Sequence, residues 1–195
     1  MKPHDIDKDL NYLNMEEIKA FCNKTGIPFK IHYYRANKLR VSGEIDRKAI
    51  ILDRIRFFIK SRTIAQPTIY KTKVTCFDPL PSKLAPSDHI FYGQYKTTHK
   101  NILSLMRALT DGEFKFGAIS QEVIRDFWRE GKAPSYEQFA IAWIKANKAH
   151  VEPKPEWAYL TDLAAGMDRS EWKEHRRKKA TVVLKTLHLI IREQN

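Results

Sequence analysis

The run DRKAIILDRIRFFI at residues 46–59 carries Ile51, Leu52, Ile55, Phe58 and Ile59 at spacings of three and four. That period predicts an amphipathic helix from Asp46 to about Lys60. Asp46 reads as its N-cap, because a carboxylate accepts orphan backbone N–H groups of the first turn. Arg47 and Lys48 then fall at the first two helical positions, where the helix dipole favours anions over cations. Two cations there are either a small misplacement, costing about 0.3–1 kcal/mol each, or the counterpart of a phosphate held at the helix start.

Upstream, NMEEIKAFCNKTG at 14–26 predicts a first helix. Asn14 is its N-cap and Glu17, three positions on, completes a capping box. Ile18, Phe21 and Cys22 share one face; Gly26 and Pro28 are the stop. The linking segment IPFKIHYYRANKLRVSGEI, 27–45, alternates well enough to be extended and carries Lys30, Arg35, Lys38 and Arg40. Ser42-Gly43 marks a turn within it.

Downstream, residues 66–87 read as a linker with a short strand: TIYKTKVT alternates, and Pro67, Pro79, Pro81 and Pro86 punctuate it. Residues 88–150 are helical again. Ile102, Leu105, Met106 and Leu109 form one face; Ile124, Phe127 and Trp128 another, in a helix from Ser120; Phe139, Ala140, Trp143 and Ile144 a third, capped by Ser135. Aromatic residues at helical spacing read as core. FKFG at 114–117 is expected to pair with HIFYGQY at 89–95 as strands. Residues 151–195 form a helical pair, the second opened by Asp168 and Glu171 as a capping box and lined by Val183, Leu184, Leu187, Ile190 and Ile191. The expected divisions are therefore 1–65, 66–87, 88–150 and 151–195.

The chain has 195 residues, 43% of them hydrophobic, enough for a core. Lys and Arg number 35 against 23 Asp and Glu, a net charge of +12. That balance points to a polyanionic partner, nucleic acid first. Cys22 and Cys76 make neither a disulfide framework nor a structural zinc site. No secretory h-region and no membrane-length apolar run occur in the sequence, so a soluble cytoplasmic protein with no membrane association is expected. There is no Gly-x-Gly-x-x-Gly, P-loop or nucleophile elbow, and the seven histidines lack metal-ligand spacing. No catalytic residues, metal or cofactor are assigned.

The N-terminal helix pair resembles the SAP motif, a helix–extended loop–helix DNA-binding module. MEEIKAFCNKTGIP matches the first helix with its Gly26-Ile27-Pro28 stop. RKAIILDRIRFFI matches the second, with Arg47 and Lys48 at the basic pair and Arg54-Ile55 at the Arg-Ile of the pattern. The segment from Phe29 to Ile45 is longer than the family's usual loop, and Ile50 stands where an acidic residue is common. Residues 87–147, with GEFKF at 112–116 and GKAPSY at 131–136 before an aromatic-rich helix, are similar to a domain of unknown function that accompanies SAP-like modules in bacterial proteins. The resemblance implies a mainly α fold: a SAP-like helix–loop–helix module followed by a C-terminal helical domain with a few short strands.

By the same resemblance, Arg47 and Lys48 approach the DNA backbone. Lys30, Arg35, Lys38 and Arg40 would extend the contact along it, and a cytoplasmic protein of this kind would associate with the nucleoid. The expected function is backbone-dominated DNA binding with steep salt dependence. The charge does not separate DNA from RNA, although no RRM aromatic signature or Gly-x-x-Gly loop is present. The alternative is a protein-interaction adaptor whose basic surface meets an acidic partner, with residues 88–195 as the interaction surface. Tyr33 and Tyr34 read as packing residues. EHRRKK at 174–179 reads as a solvated helix face paired in part with Glu171 and Glu174, because only some of its residues can face one way.

Overall fold

The computed structural model describes residues 3–149 and 153–192. It is mainly helical, with a helix–loop–helix segment near the N-terminus and a few short strands. The chain folds as two compact units: Met1–Lys30, Glu44–Pro67 and Glu152–Asn195 form unit one, and Ile31–Gly43 with Thr68–Val151 form unit two. Neither is one continuous stretch. The chain passes from unit one into unit two and back through the segment that joins the first two predicted helices.

Unit one holds α1 (Pro3–Asp9), α2 (Met15–Thr25), α3 (Lys48–Ser61), α7 (Ala158–Ala164) and α8 (Arg169–Arg192). Asn14 caps α2 as its sequence implies: Glu17 N–H donates to Asn14 Oδ1 and Asn14 N–H to the Glu17 carboxylate, each at 2.8 Å. Gly26 closes the helix at φ 75°, a left-handed conformation that suits a residue without Cβ. Ile18, Phe21 and Cys22 of α2 meet Ile51, Leu52, Ile55 and Phe58 of α3, and Ala180, Val183 and Leu187 of α8 join the same core. Burial raises the Cys22 thiol to about 12, so it behaves as a small apolar side chain.

Three details of unit one differ from expectation. The N-terminal residues form α1, whose Ile6 reaches the core, although one apolar residue in seven gives no helical period. The N-cap of α3 is Arg47 rather than Asp46. Asp46 is drawn inward instead: its carboxylate pairs with Arg54 at 2.9 Å, with side-chain exposures of 3% and 7%. Lastly, Asp168 accepts from the backbone N–H of Ser170 at 2.7 Å and from its hydroxyl at 2.5 Å, two positions on rather than the three of the expected box.

Among the described residues, unit two carries most of a small sheet and three helices. The strands β1 (Lys30–Arg35), β2 (Lys38–Ile45) and β3 (Ile69–Tyr70) lie in the order β2-β1-β3. β1 and β3 run parallel, with His32 opposite Ile69 and Tyr33 opposite Tyr70. The helices are α4 (Lys100–Ala108), α5 (Ala118–Arg129) and α6 (Tyr136–Ala149). The α6 cap is the one expected, since Gln138 N–H donates to Ser135 Oγ and Ser135 N–H to the Gln138 side-chain oxygen.

The core of unit two is aromatic. Tyr70, Tyr92, Phe114, Trp128, Tyr136, Phe139 and Trp143 are buried in it; the edge-to-face pair Tyr70–Trp128 ties β3 to α5, and Phe114–Phe139 ties the segment after α4 to α6. Trp128 Nε1–H donates to the Ile90 carbonyl at 3.0 Å, satisfying the buried indole. The expected pairing of 114–117 with 89–95 does not form. Tyr92 bridges Thr75 and His89 bridges Ser135, because Phe114 is drawn into the core while the 74–76 backbone takes the hydrogen bonds of Tyr92.

Candidate nucleic-acid interface

The segment between α2 and α3 is a β-hairpin, and its turn is not where the sequence suggested. Ala36 and Asn37 form it, at φ 49° and 60°, the two left-handed positions of a type I′ turn. Ser42-Gly43, the expected turn, lies inside β2. Ser42 is buried there and its hydroxyl is hydrogen-bonded to Tyr92 OH at 2.8 Å. Asparagine tolerates a positive φ, whereas alanine carries no turn signal, so Ala36-Asn37 was hidden and Ser-Gly misled.

The two-residue turn fixes the register. Arg35 lies opposite Lys38 and Tyr33 opposite Arg40, and alternation along each strand puts all four on one face. Tyr33, Arg35, Ala36, Lys38 and Arg40 line a surface depression of about 480 Å³. Arg35, Lys38 and Arg40 are exposed. The Arg35 guanidinium sits 4.8 Å over the ring of Phe77, which restrains it by a cation–π contact. Tyr33 packs its ring against Phe77 and Tyr92 at centroid distances of 5.2 and 5.4 Å, consistent with its reading as a packing residue. Lys38 and Arg40, two residues apart on an extended strand, are separated by about 6.6 Å along it. That is close to the step between successive phosphates of a polynucleotide.

The remaining three sequence-nominated residues belong to unit one. Lys30 opens β1 and is exposed. Arg47 is half-buried at the cap of α3, where its N–H donates to the Asp46 carboxylate at 3.1 Å. Lys48 is also half-buried, and its ammonium donates to the Asn11 carbonyl at 2.6 Å. Desolvation, with a smaller contribution from the Arg176 charge, lowers Lys48 to about 8. The helix start is thus built into the unit-one fold, while the hairpin cations project into solvent.

The basic run 174–179 divides as the helical period requires. Arg176 pairs with Glu17 and donates from Nε to the Tyr12 carbonyl at 2.9 Å. Lys179 reaches Asp9 at 3.0 Å, and His175 stacks edge-on against Tyr12. Lys178 pairs with Glu174 one turn away at 2.8 Å on the solvent side. Tyr12 is a hub for this packing. Its hydroxyl donates to Asp162 at 3.0 Å, and burial followed by that carboxylate raises it to about 12.

The residues that fasten the hairpin tip carry no signal of that role in the sequence. Thr75 Oγ1 donates to the Tyr34 carbonyl at 2.9 Å, fastening β1 to the segment after β3. Phe77 carries Arg35. These contacts span some forty positions and follow no local period, so no motif could have marked them. Among the described residues no group of three or more His, Cys, Asp or Glu could hold a metal ion. No described helix is long and apolar enough to cross a membrane. Comparison with protein-family models, curated proteins and solved structures returns no match for this chain.

Proposed function

We propose that this protein binds nucleic acid through its backbone, with the tip of the β1–β2 hairpin as the principal contact. The observation that carries the reading is the grouping of Arg35, Lys38 and Arg40 on one exposed face around a single depression. Cations in that arrangement neutralise phosphates and release condensed counterions, which gives affinity with little sequence preference. The net charge of +12 supplies long-range attraction. We retain the SAP-like reading of residues 15–59 in modified form, with the extended loop elaborated into a hairpin that takes over most of the phosphate contact. Lys48 is left out of that contact, because engaging a phosphate would cost it the Asn11 carbonyl.

A second reading rests on a separate observation. Leu39 and Val41 of β2 are 47% and 59% exposed, and β2 is an outer strand of the sheet. Exposed aliphatic residues alternating with Lys38 and Arg40 suit an acidic extended peptide added to that edge. This is the adaptor alternative in structural form.

Fluorescence anisotropy with labelled nucleic acid across a salt series tests the first reading. Binding with a steep negative slope of log K against log salt is expected, flattened by about two units in Lys38→Ala/Arg40→Ala. No binding at low salt sinks it. In that case, chemical-shift perturbation of Leu39 and Val41 by an acidic peptide library becomes the measurement of interest.

A further inference from the structure

A second depression, of about 240 Å³, lies beside the cationic one and shares Arg35 and Ala36 with it. Its character is different. Tyr34, Thr72, Thr75, Phe77 and Asp78 line it; the Thr75 hydroxyl is held by the Tyr34 carbonyl and the Phe77 ring carries Arg35, so what it offers a ligand is Tyr34, the Thr72 hydroxyl and a carboxylate. A carboxylate next to a phosphate-binding face repels the backbone; Asp78 Oδ2 accepts the Cys76 thiol at 3.7 Å, and toward a ligand the carboxylate can serve only a group that donates hydrogen bonds. At neutral pH a carboxylate accepts and does not donate. The exocyclic amine of cytosine is a donor of that kind, and Asp accepts from it in known base readout.

The wall of this depression is firmly built. Cys76 N–H donates to the Tyr92 carbonyl and Tyr92 N–H to the Val74 carbonyl, both at 2.9 Å. Gln94 Nε2 donates to the Asp78 carbonyl at 3.1 Å. Gly93, at φ 101°, lets the 76–77 backbone approach so closely that an added Cβ would lie 2.4 Å from the Cys76 carbonyl oxygen and 2.8 Å from the Phe77 ring. The depression is therefore a preformed feature of unit two rather than a gap between loose segments.

We infer that the hairpin tip recognises single-stranded nucleic acid, with phosphates on Arg35, Lys38 and Arg40 and one unpaired, amine-bearing base in the depression beside Asp78. Arg35 joins the two subsites, between a phosphate and the base attached to it. This inference rests on the backbone-binding reading above and narrows it. A base inside a duplex is stacked and paired and cannot enter such a depression; only an unpaired nucleotide presents its edge and face together.

The test uses the full chain and four labelled probes of equal length: oligo(dC), oligo(dT), oligo(rC) and a blunt duplex. The single strands are expected to bind more tightly than the duplex, with oligo(dC) about tenfold tighter than oligo(dT), within the range that one base-edge contact discriminates. Asp78→Ala, at an exposed position, should abolish the preference for dC over dT without weakening the dT complex, because it removes a negative charge from the site. Lys38→Ala/Arg40→Ala should weaken every probe alike. Oligo(rC) is expected to lose affinity in Asp78→Ala as oligo(dC) does, and an oligo(rC) complex indifferent to that change overturns the inference. A duplex that binds as tightly as the single strands, or a dC preference that survives Asp78→Ala, overturns the inference and leaves backbone binding standing. Failure of all four probes to bind at low salt removes both.

Discussion

The helix start at Arg47-Lys48 and the hairpin tip at Arg35, Lys38 and Arg40 are both clusters of cations, and they have opposite fates. At the helix start the charges are enclosed. Asp46 turns inward to Arg54, Arg54 donates to the Pro28 carbonyl at 3.0 Å, and Lys48 is spent on Asn11. At the hairpin tip the charges stand on one face of a two-stranded ribbon with solvent over them. A basic pair in sequence is therefore not yet a binding site. What matters is whether the fold has already supplied its partners.

Removing Arg54 breaks the enclosed cluster most severely. Arg54→Ala leaves the Asp46 carboxylate buried without its cation, and a loss of about 3–5 kcal/mol is expected, read as a lowered midpoint in urea denaturation. Arg54→Met, with similar volume, still strands Asp46 and should also destabilise, whereas Asp46→Leu/Arg54→Met together should recover much of the loss. If Arg54→Ala is nearly neutral, the enclosed cluster contributes little to the fold and the contrast fails.

The next effect is on binding. Lys38→Ala/Arg40→Ala removes two exposed charges and should flatten the salt slope by about two units, while Lys48→Met leaves it unchanged within error. Anisotropy titrations at several salt concentrations separate the two variants. Equal losses of slope would mean that the helix start also meets phosphate.

Lys48 has a pH signature of its own. Its folded pKa of about 8 lies below its ordinary 10.5, so between those values the unfolded chain binds the extra proton. Stability should therefore rise with pH across that window. The contribution is about 1 kcal/mol after discounting for the solvent that still reaches the ammonium. Lys48→Met should remove that rise and be neutral or slightly stabilising at pH 7, as measured by urea midpoints from pH 7 to 10.5. A rise that persists in Lys48→Met assigns it to other groups.

The smallest effect concerns the tip. Ala36 holds φ 49°, a conformation that costs a residue with Cβ about 1–2 kcal/mol. Glycine recovers most of that but adds unfolded-state entropy of about 0.4–1 kcal/mol. Ala36→Gly should thus stabilise by about 0.5–1 kcal/mol in urea denaturation with the salt slope of binding unchanged. A loss of binding instead would show that the rigidity of the tip, and not only its charge, matters to the interface.

Much of unit one was legible locally. The α2 capping box and its Gly26 stop, and the apolar stripe of α3, are patterns that act within one or two turns. The hairpin was legible as extended structure, but its register was not: Ser-Gly is a stronger turn signal than Ala-Asn, and only the Ser42–Tyr92 hydrogen bond shows why Ser42 belongs inside a strand. Similarly, 114–117 alternates like a strand, yet Phe114 serves the aromatic core. Of the residues nominated for phosphate contact, Arg35, Lys38 and Arg40 share a depression and an exposed face. Their grouping depends on the turn register, which the sequence reading misplaced.

The sequence by itself determined the helical character, the caps of α2 and α6, the apolar faces and the large positive charge, because those depend on period, composition and neighbours within a few positions. Tertiary structure alone decided which cations are enclosed and which are presented. It also made a discontinuous unit out of 31–43 and 68–151 and set Thr75, Phe77 and Asp78 beside the hairpin tip. The physical reason is range. A cap or a helical stripe is fixed by contacts one turn away, whereas the partner of a charge is whatever the folded chain brings within 3 Å of it.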